Sequence, residues 1–243
     1  MTEVGRVRAL YRYPVKSMGG EAREAVTLGW PGIEGDRQYA FLRSGNASRF
    51  PWLTGREVHA LPSWRARYLD PEDPRRSPVE VATSEGVVRP LGDPALLAEL
   101  RDAAAEEVQL LQLGRGAFDS MPVSVVATAT AGLLGERGGR PVDLRRFRPN
   151  IIVETKAGEA SRETGWLGGM LVFGDGKEAV RLRANVAIKR CVMITIDPDT
   201  AARDRAIMKR VAGDFDNQIG IYCTADAIGR IAVGDRVRLV RPG

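Results

Sequence analysis

Histidine is nearly missing from this chain, with His59 the single one among 243 residues. One imidazole excludes polyhistidine metal centres and, unless His59 itself serves, triads built on histidine. Cysteine is as scarce: Cys191 and Cys223 stand alone, too few for a disulfide scaffold or an iron–sulfur cluster. Only Lys16, Lys156, Lys177, Lys189 and Lys209 are lysines among 36 basic side chains, so arginine carries the net charge of +5. A guanidinium bias suits bidentate anion recognition and follows equally from codon composition. Aromatic residues make up 6% of the chain and no run of five or six like charges occurs, which argues against a nucleic-acid surface. No stretch approaches the ~18 apolar residues of a membrane span. Met1 to Leu10 is interrupted by Glu3, Arg6 and Arg8, where a secretory signal needs an unbroken apolar core. The expectation is a cytoplasmic protein that binds neither membrane nor nucleic acid.

What is present is alternation. Val4 to Val15, Gln38 to Arg43, Arg65 to Leu69, Val79 to Ala82, Val108 to Leu113, Val123 to Ala127 and Ile151 to Glu154 are short, β-branched or aromatic runs bounded by turn-formers. Leu171 to Phe173 and Ala179 to Leu182 predict a hairpin around Gly174, Asp175 and Gly176. Val186 to Ile196 reads as a long apolar strand, Gln218 to Cys223 as another, and Gly229 to Val240 as two strands joined at Gly234 and Asp235. Helices are predicted for Ala95 to Ala105 behind an Asp93 N-cap, for Thr130 to Glu136, and for Thr200 to Ala212 with Asp199 or Thr200 as cap. Many short strands with few helices, and no βαβ rhythm, predict an α+β, mostly β, barrel-like chain. A cysteine in an apolar strand is an inert core thiol, a ligand or a nucleophile, and position alone leaves that open for Cys191. Cys223 reads as core.

Five groups of residues, taken in order, resemble the MOSC family, which includes the C-terminal domain of molybdenum cofactor sulfurase and the mitochondrial amidoxime-reducing component. They are Tyr13-Pro14-Val15-Lys16-Ser17; Gly35-Asp36-Arg37 followed by Leu53-Thr54-Gly55-Arg56-Glu57; Arg146-Phe147-Arg148-Pro149-Asn150 with Glu163 and Trp166 downstream; Lys189-Arg190-Cys191 running into Asp197-Pro198-Asp199-Thr200; and Gly220-Ile221-Tyr222. The resemblance implies a MOSC-type β-barrel with an N-terminal β-barrel-like subdomain, divided as residues 1–113 and 114–243.

It further implies molybdenum cofactor (Mo-molybdopterin) as ligand, with Cys191 as the thiolate on the metal. A phosphate favours an ammonium, a hydroxyl and a guanidinium together, and Lys16, Ser17 and Arg37 are that set. Arg148 and Asn150, on either side of Pro149, are expected at the pterin edge, and Arg56 as a further cofactor contact. Asp119 and Ser120 resemble a loop near the metal, although Met121 stands where relatives often have serine. Tyr222 matches a tyrosine on the substrate side. Arg145 and Arg146 are expected to face solvent or pair with acids. The implied activity is reduction of N-hydroxylated small molecules, with electrons from a ferredoxin, a cytochrome b5-like protein or a flavin reductase. Two other readings compete: a cofactor carrier or sulfur-transfer protein using a Cys191 persulfide, and a β-barrel whose basic cleft binds some other anion.

Overall fold

The computed structural model of the chain describes residues 1–241. In chain order its elements are β1 (Thr2–Arg12), β2 (Glu21–Arg23), β3 (Ala25–Gly29), β4 (Gly32–Ile33), β5 (Tyr39–Arg43), β6 (Arg65–Tyr68), β7 (Val79–Ala82), β8 (Val88–Pro90), α1 (Pro94–Ala104), β9 (Val108–Gln112), β10 (Val123–Ala127), α2 (Thr128–Gly138), β11 (Ile151–Glu154), β12 (Met170–Phe173), β13 (Val180–Lys189), α3 (Arg205–Asp214), β14 (Gln218–Ala227), β15 (Gly229–Ala232) and β16 (Arg236–Val240). The chain is mostly β, as predicted.

Seven strands close into a barrel in the order β11-β10-β14-β13-β12-β16-β1, with β1 returning to β11. Closure removes the free edges that an open sheet would present. Among the described barrel strands only β10 and β11 run parallel, and a parallel pair needs a crossover, which α2 supplies. All five residues of β10 are buried. In β13 the buried positions alternate, Val180, Leu182 and Ala184 facing in while Arg181 and Arg183 face water. Three register shifts along the β13–β14 pair bend it around the barrel.

The inward residues of these strands, with Trp166 from a 3-10 turn, form one core. A second core, around Phe41, Trp64, Leu96 and Leu100, lies under β5–β9, the sheet β6-β7-β8 and α1. The N-cap of α1 is the predicted Asp93, whose Oδ1 accepts from Ala95 N at 2.8 Å and Leu96 N at 3.3 Å. A third core joins α2 and α3 to the outside of the barrel.

Two expectations need correction. The predicted strand Val186 to Ile196 ends at Lys189, because its partner β14 begins at Gln218, opposite Lys189. Arg190 N makes one last bond to Asn217 O, and residues 192–195 then curl into a 3-10 turn. Cys191 is therefore at the mouth of a strand and outside its apolar run. The helix predicted from Thr200 starts at Arg205 and is capped by Asp204, which accepts from Ala206 N at 3.0 Å. Asp197 is the reason: its Oδ1 takes the N–H groups of Asp199 and Thr200, both at 3.0 Å, and holds that stretch as a turn.

Two predictions follow from the barrel. A Cβ at Gly5 would lie 2.0 Å from Glu154 O, on the β1–β11 seam. Gly5→Ala is expected to lower unfolding free energy by about 3 kcal/mol in denaturant titration, since the seam must open to admit it. Cys223 is fully buried and burial pushes its thiol far above the ordinary range. Its folded state keeps the proton that the unfolded state sheds above pH ~8.5. Stability is intact below that pH and falls above it, by about 1.4 kcal/mol per pH unit from this group. Cys223→Ala should flatten the alkaline slope of unfolding free energy by that amount.

Candidate functional site

The barrel seam also builds a cavity. The β1–β11 register sets Leu10 opposite Ile151, and Tyr11 N donates to Asn150 O at 2.8 Å. The chain leaving β1, Tyr13 to Ser17, therefore meets the chain entering β11, Arg148 to Asn150. Pairing of Ser124 with Tyr222, and of Val186 with Tyr222, brings β10, β13 and β14 to the same end. The cavity there is about 500 Å³. Lys16, Ser17, Arg37, Arg56, Asp119, Ser120, Arg148, Asn150, Cys191 and Tyr222, the residues singled out from sequence, all line it.

Part of its wall is cationic and strained. Ser17, Arg37 and Arg148 have φ of 68°, 53° and 50°, a left-handed conformation that costs a non-glycine residue about 1 kcal/mol or more and clusters at functional sites. Tyr13 is their platform: the guanidinium carbons of Arg37 and Arg148 lie 4.7 and 4.4 Å from its ring centroid. Asp36 pairs with Arg37 and accepts from Tyr13 N at 2.8 Å. Arg37 Nη2 donates to Arg148 O at 3.2 Å, and Arg148 Nη1 to Met18 O at 2.5 Å. Burial, and then the charge of Arg37, push the Arg148 guanidinium down to about 10. Asn150 is a brace: its Oδ1 accepts from Ser124 N at 3.1 Å, Ser124 Oγ at 3.0 Å and Arg37 Nη1 at 3.4 Å, and its Nδ2 donates to Tyr11 O at 3.3 Å. Lys16 is buried, with Nζ 2.7 Å from Ala117 O and 2.5 Å from Asp119 Oδ1. Burial lowers its pKa, and Asp119 opposes that shift.

The same cavity carries the thiol. Cys191 is partly exposed and faces Arg56, whose pKa is raised first by a hydrogen bond to Cys191 and then by its charge. A tight turn presents Arg56: Glu57 Oε2 accepts from Thr54 N at 2.9 Å and Thr54 Oγ1 at 2.8 Å, and Thr54 Oγ1 accepts from Arg56 N at 3.1 Å. At Gly55 an added Cβ would come within 3.1 Å of Met193 Cε and 3.2 Å of Ile196 Cδ1, so this turn packs directly on the turn that follows Cys191. Tyr222 is pushed up by burial and then by Asp119, and stays a protonated donor at neutral pH.

Arg190 turns inward beside Cys191, donating from Nε to Ile219 O at 2.7 Å and from Nη1 to Phe147 O at 3.0 Å. Burial pushes it down to about 10. It fits because Gly220 has no side chain: a Cβ there would lie 2.9 Å from Arg190 Nη2. Gly220 is in turn pinned by the fully buried Glu163, which accepts from Gly220 N at 2.6 Å, Ala127 N at 3.1 Å and Thr130 Oγ1 at 2.5 Å. Arg145 and Arg146 pair with acids as expected, Arg145 with Asp143 and Asp199, Arg146 with Asp197.

Sequence reasoning missed the structural role of Tyr13, although it stands in a quoted motif, and missed Phe50 altogether. The Phe50 ring centroid is 4.9 Å from Lys16 Nζ and 5.9 Å from the Arg56 guanidinium. Its only signal is an aromatic in a polar loop. Among the described residues no group of three or more His, Cys, Asp or Glu is placed to hold a metal.

Among the described residues, no helix is long and apolar enough to cross a membrane. The chain matches the MOSC domain over residues 114–238. It is 32% identical to mitochondrial amidoxime reducing component 2 of Bos taurus over 132 residues, 49% of this chain and 37% of that protein. It is 31% identical to mitochondrial amidoxime-reducing component 1 of Homo sapiens over 87 residues, 36% of this chain and 23% of that protein. The chain thus matches well under half the length of these curated relatives. The crystal structure of the YuaD protein from Bacillus subtilis superposes with a TM-score of 0.51 at 12% identity, covering 98% of this chain and 97% of that one, a likeness of fold alone. The family match runs from the loop before β10 into β16, through the Arg148–Asn150 entry to β11 and the Cys191 turn, and the chain belongs to the MOSC domain family.

Proposed function

We propose that the chain binds molybdenum cofactor, its phosphate at the Lys16, Ser17, Arg37 and Arg148 end and Cys191 as thiolate ligand to the metal, and that it reduces N-hydroxylated small molecules. One observation carries this reading: a single cavity is lined both by a cluster of cations and by an accessible thiol. The names of the amidoxime-reducing relatives support the substrate class.

The residues fit the group. Arg148 Nη2 and Arg190 Nη2 are buried without a protein partner, a state that native proteins rarely leave unanswered. A softer metal favours a sulfur donor, and a phosphate favours fixed guanidinium and ammonium groups. When bound, the cofactor supplies the two-electron redox centre for removing oxygen from substrate.

The chain's own contribution is binding and orientation. Arg37 and Arg148, rigid on Tyr13, are preorganised for an anion and lose little freedom on binding it. Arg56 and Arg190 lie beside the sulfur. Tyr222 keeps its proton and donates a hydrogen bond from Oη to a polar atom of substrate. Cleaving N–OH to N–H and water takes two electrons and two protons. Two cysteines build no iron–sulfur cluster, so the electrons come from a partner: a ferredoxin, a cytochrome b5-like protein or a flavin reductase.

The test is molybdenum analysis paired with pterin fluorescence, and reduction of an N-hydroxylated amidine with a reduced electron donor. Wild type should carry both metal and pterin and turn over. Cys191→Ser should keep pterin while activity falls by roughly a hundredfold or more, as for loss of a metal ligand. Lys16→Met should lose pterin. Molybdenum-loaded wild type that is inert toward such substrates would remove the enzymatic reading.

A further inference from the structure

The Lys16 end of the cavity already holds an anion, and that anion belongs to the chain. An ammonium has three hydrogens. Around Lys16 Nζ lie Ala117 O at 2.7 Å, Asp119 Oδ1 at 2.5 Å and the face of Phe50 with its centroid at 4.9 Å. These contacts engage two of the three hydrogens and set an aromatic ring beside the ammonium, so a ligand oxygen competes with oxygens of the chain. Both oxygen partners come from one loop, residues 114–122, between β9 and β10. The two members of the ion pair are unequal: the Lys16 side chain is 5% exposed and that of Asp119 is 64% exposed. The ammonium is fixed in the wall, and the carboxylate reaches it from the solvent side.

Asp119 also lies in the field of the other cavity cations, Arg37, Arg148, Arg56 and Arg190. Partial desolvation against the cavity wall works to raise its carboxyl, and Lys16 foremost among these cations brings it below the ordinary range. It therefore carries its charge at neutral pH, where a ligand would carry its own.

We infer that Asp119 is a built-in stand-in for the anionic group of the ligand, and that a phosphate monoester reaching Lys16 exchanges with the Asp119 carboxylate and releases the 114–122 loop. A phosphate brings nearly two negative charges and three acceptor oxygens against the single charge of a carboxylate, so the exchange favours a dianion. After exchange the loop keeps its backbone tie, Ala117 N to Arg37 O at 2.8 Å. Loading is then coupled to movement of the loop that carries Ser120 and Met121 along the cavity wall. The inference rests on the Lys16 end being an anion seat, as proposed above, and gives Asp119 a role in loading.

The test is calorimetric titration of inorganic phosphate into the 243-residue chain purified without cofactor, with amide exchange followed across residues 115–121. Wild type should bind weakly and show faster exchange in the loop as phosphate is added. Asp119→Asn should bind roughly tenfold tighter, because the competing state is removed, and its loop should exchange fast before any phosphate is added. Asp119→Ala, which cannot retain a polar contact to Lys16, should match it, and keeps the test sound if the amide variant folds poorly. Lys16→Met should abolish binding. Equal or weaker binding by both Asp119 variants, with Lys16→Met still abolishing it, overturns the exchange and leaves the anion seat standing. Binding absent from wild type and both Asp119 variants, or indifferent to Lys16→Met, overturns the anion seat and the inference with it.

Discussion

The seam between β1 and β11 is the contact on which the site depends. Its antiparallel register lays the end of one strand against the start of the other, so residues far apart in sequence, Tyr13 to Ser17 and Arg148 to Asn150, share one wall. Asn150 rivets the wall by bonding Ser124, Arg37 and Tyr11 together. Without that register Lys16, Arg37 and Arg148 have no common point to face. The same closure returns the first strand to the barrel formed by the second half of the chain, so the matched 114–238 region does not complete the barrel on its own.

Cations crowded at one end repel each other and resist burial, and three left-handed residues add backbone cost. The chain offsets this with the Tyr13 ring, the Asp36 carboxylate and the Asp119 contact, and by the packing of three cores around the cavity walls. Strain held in place by surrounding packing is preorganisation: the groups are set before any ligand arrives. At the thiol end the same logic runs through Glu163, Gly220 and Arg190, a buried relay that fixes the turn after β13.

Much of this was legible in the sequence. Strands such as Val79–Ala82, Val123–Ala127 and Ile151–Glu154 match their predicted bounds, because short apolar or alternating runs between turn-formers leave little freedom. The ten residues singled out from sequence line one cavity. What was not legible depends on partners distant in sequence. The strand through Val186 continues in hydrophobicity to Ile196, and only the position of Gln218 shows where the ladder stops. The late start of α3 reflects one side chain, Asp197, taking two backbone N–H groups. The inward turn of Arg190 has no local signature and Phe50 only that of an aromatic in a polar loop, since each is defined by what lies across the cavity.

The central claim is that Cys191 and a metal share this cavity. X-ray absorption at the molybdenum edge, on cofactor-loaded wild type and on Cys191→Ser, tests it most directly. The account predicts one fewer sulfur neighbour on molybdenum in the variant, with an oxygen neighbour in its place. Identical sulfur coordination in both proteins would contradict it.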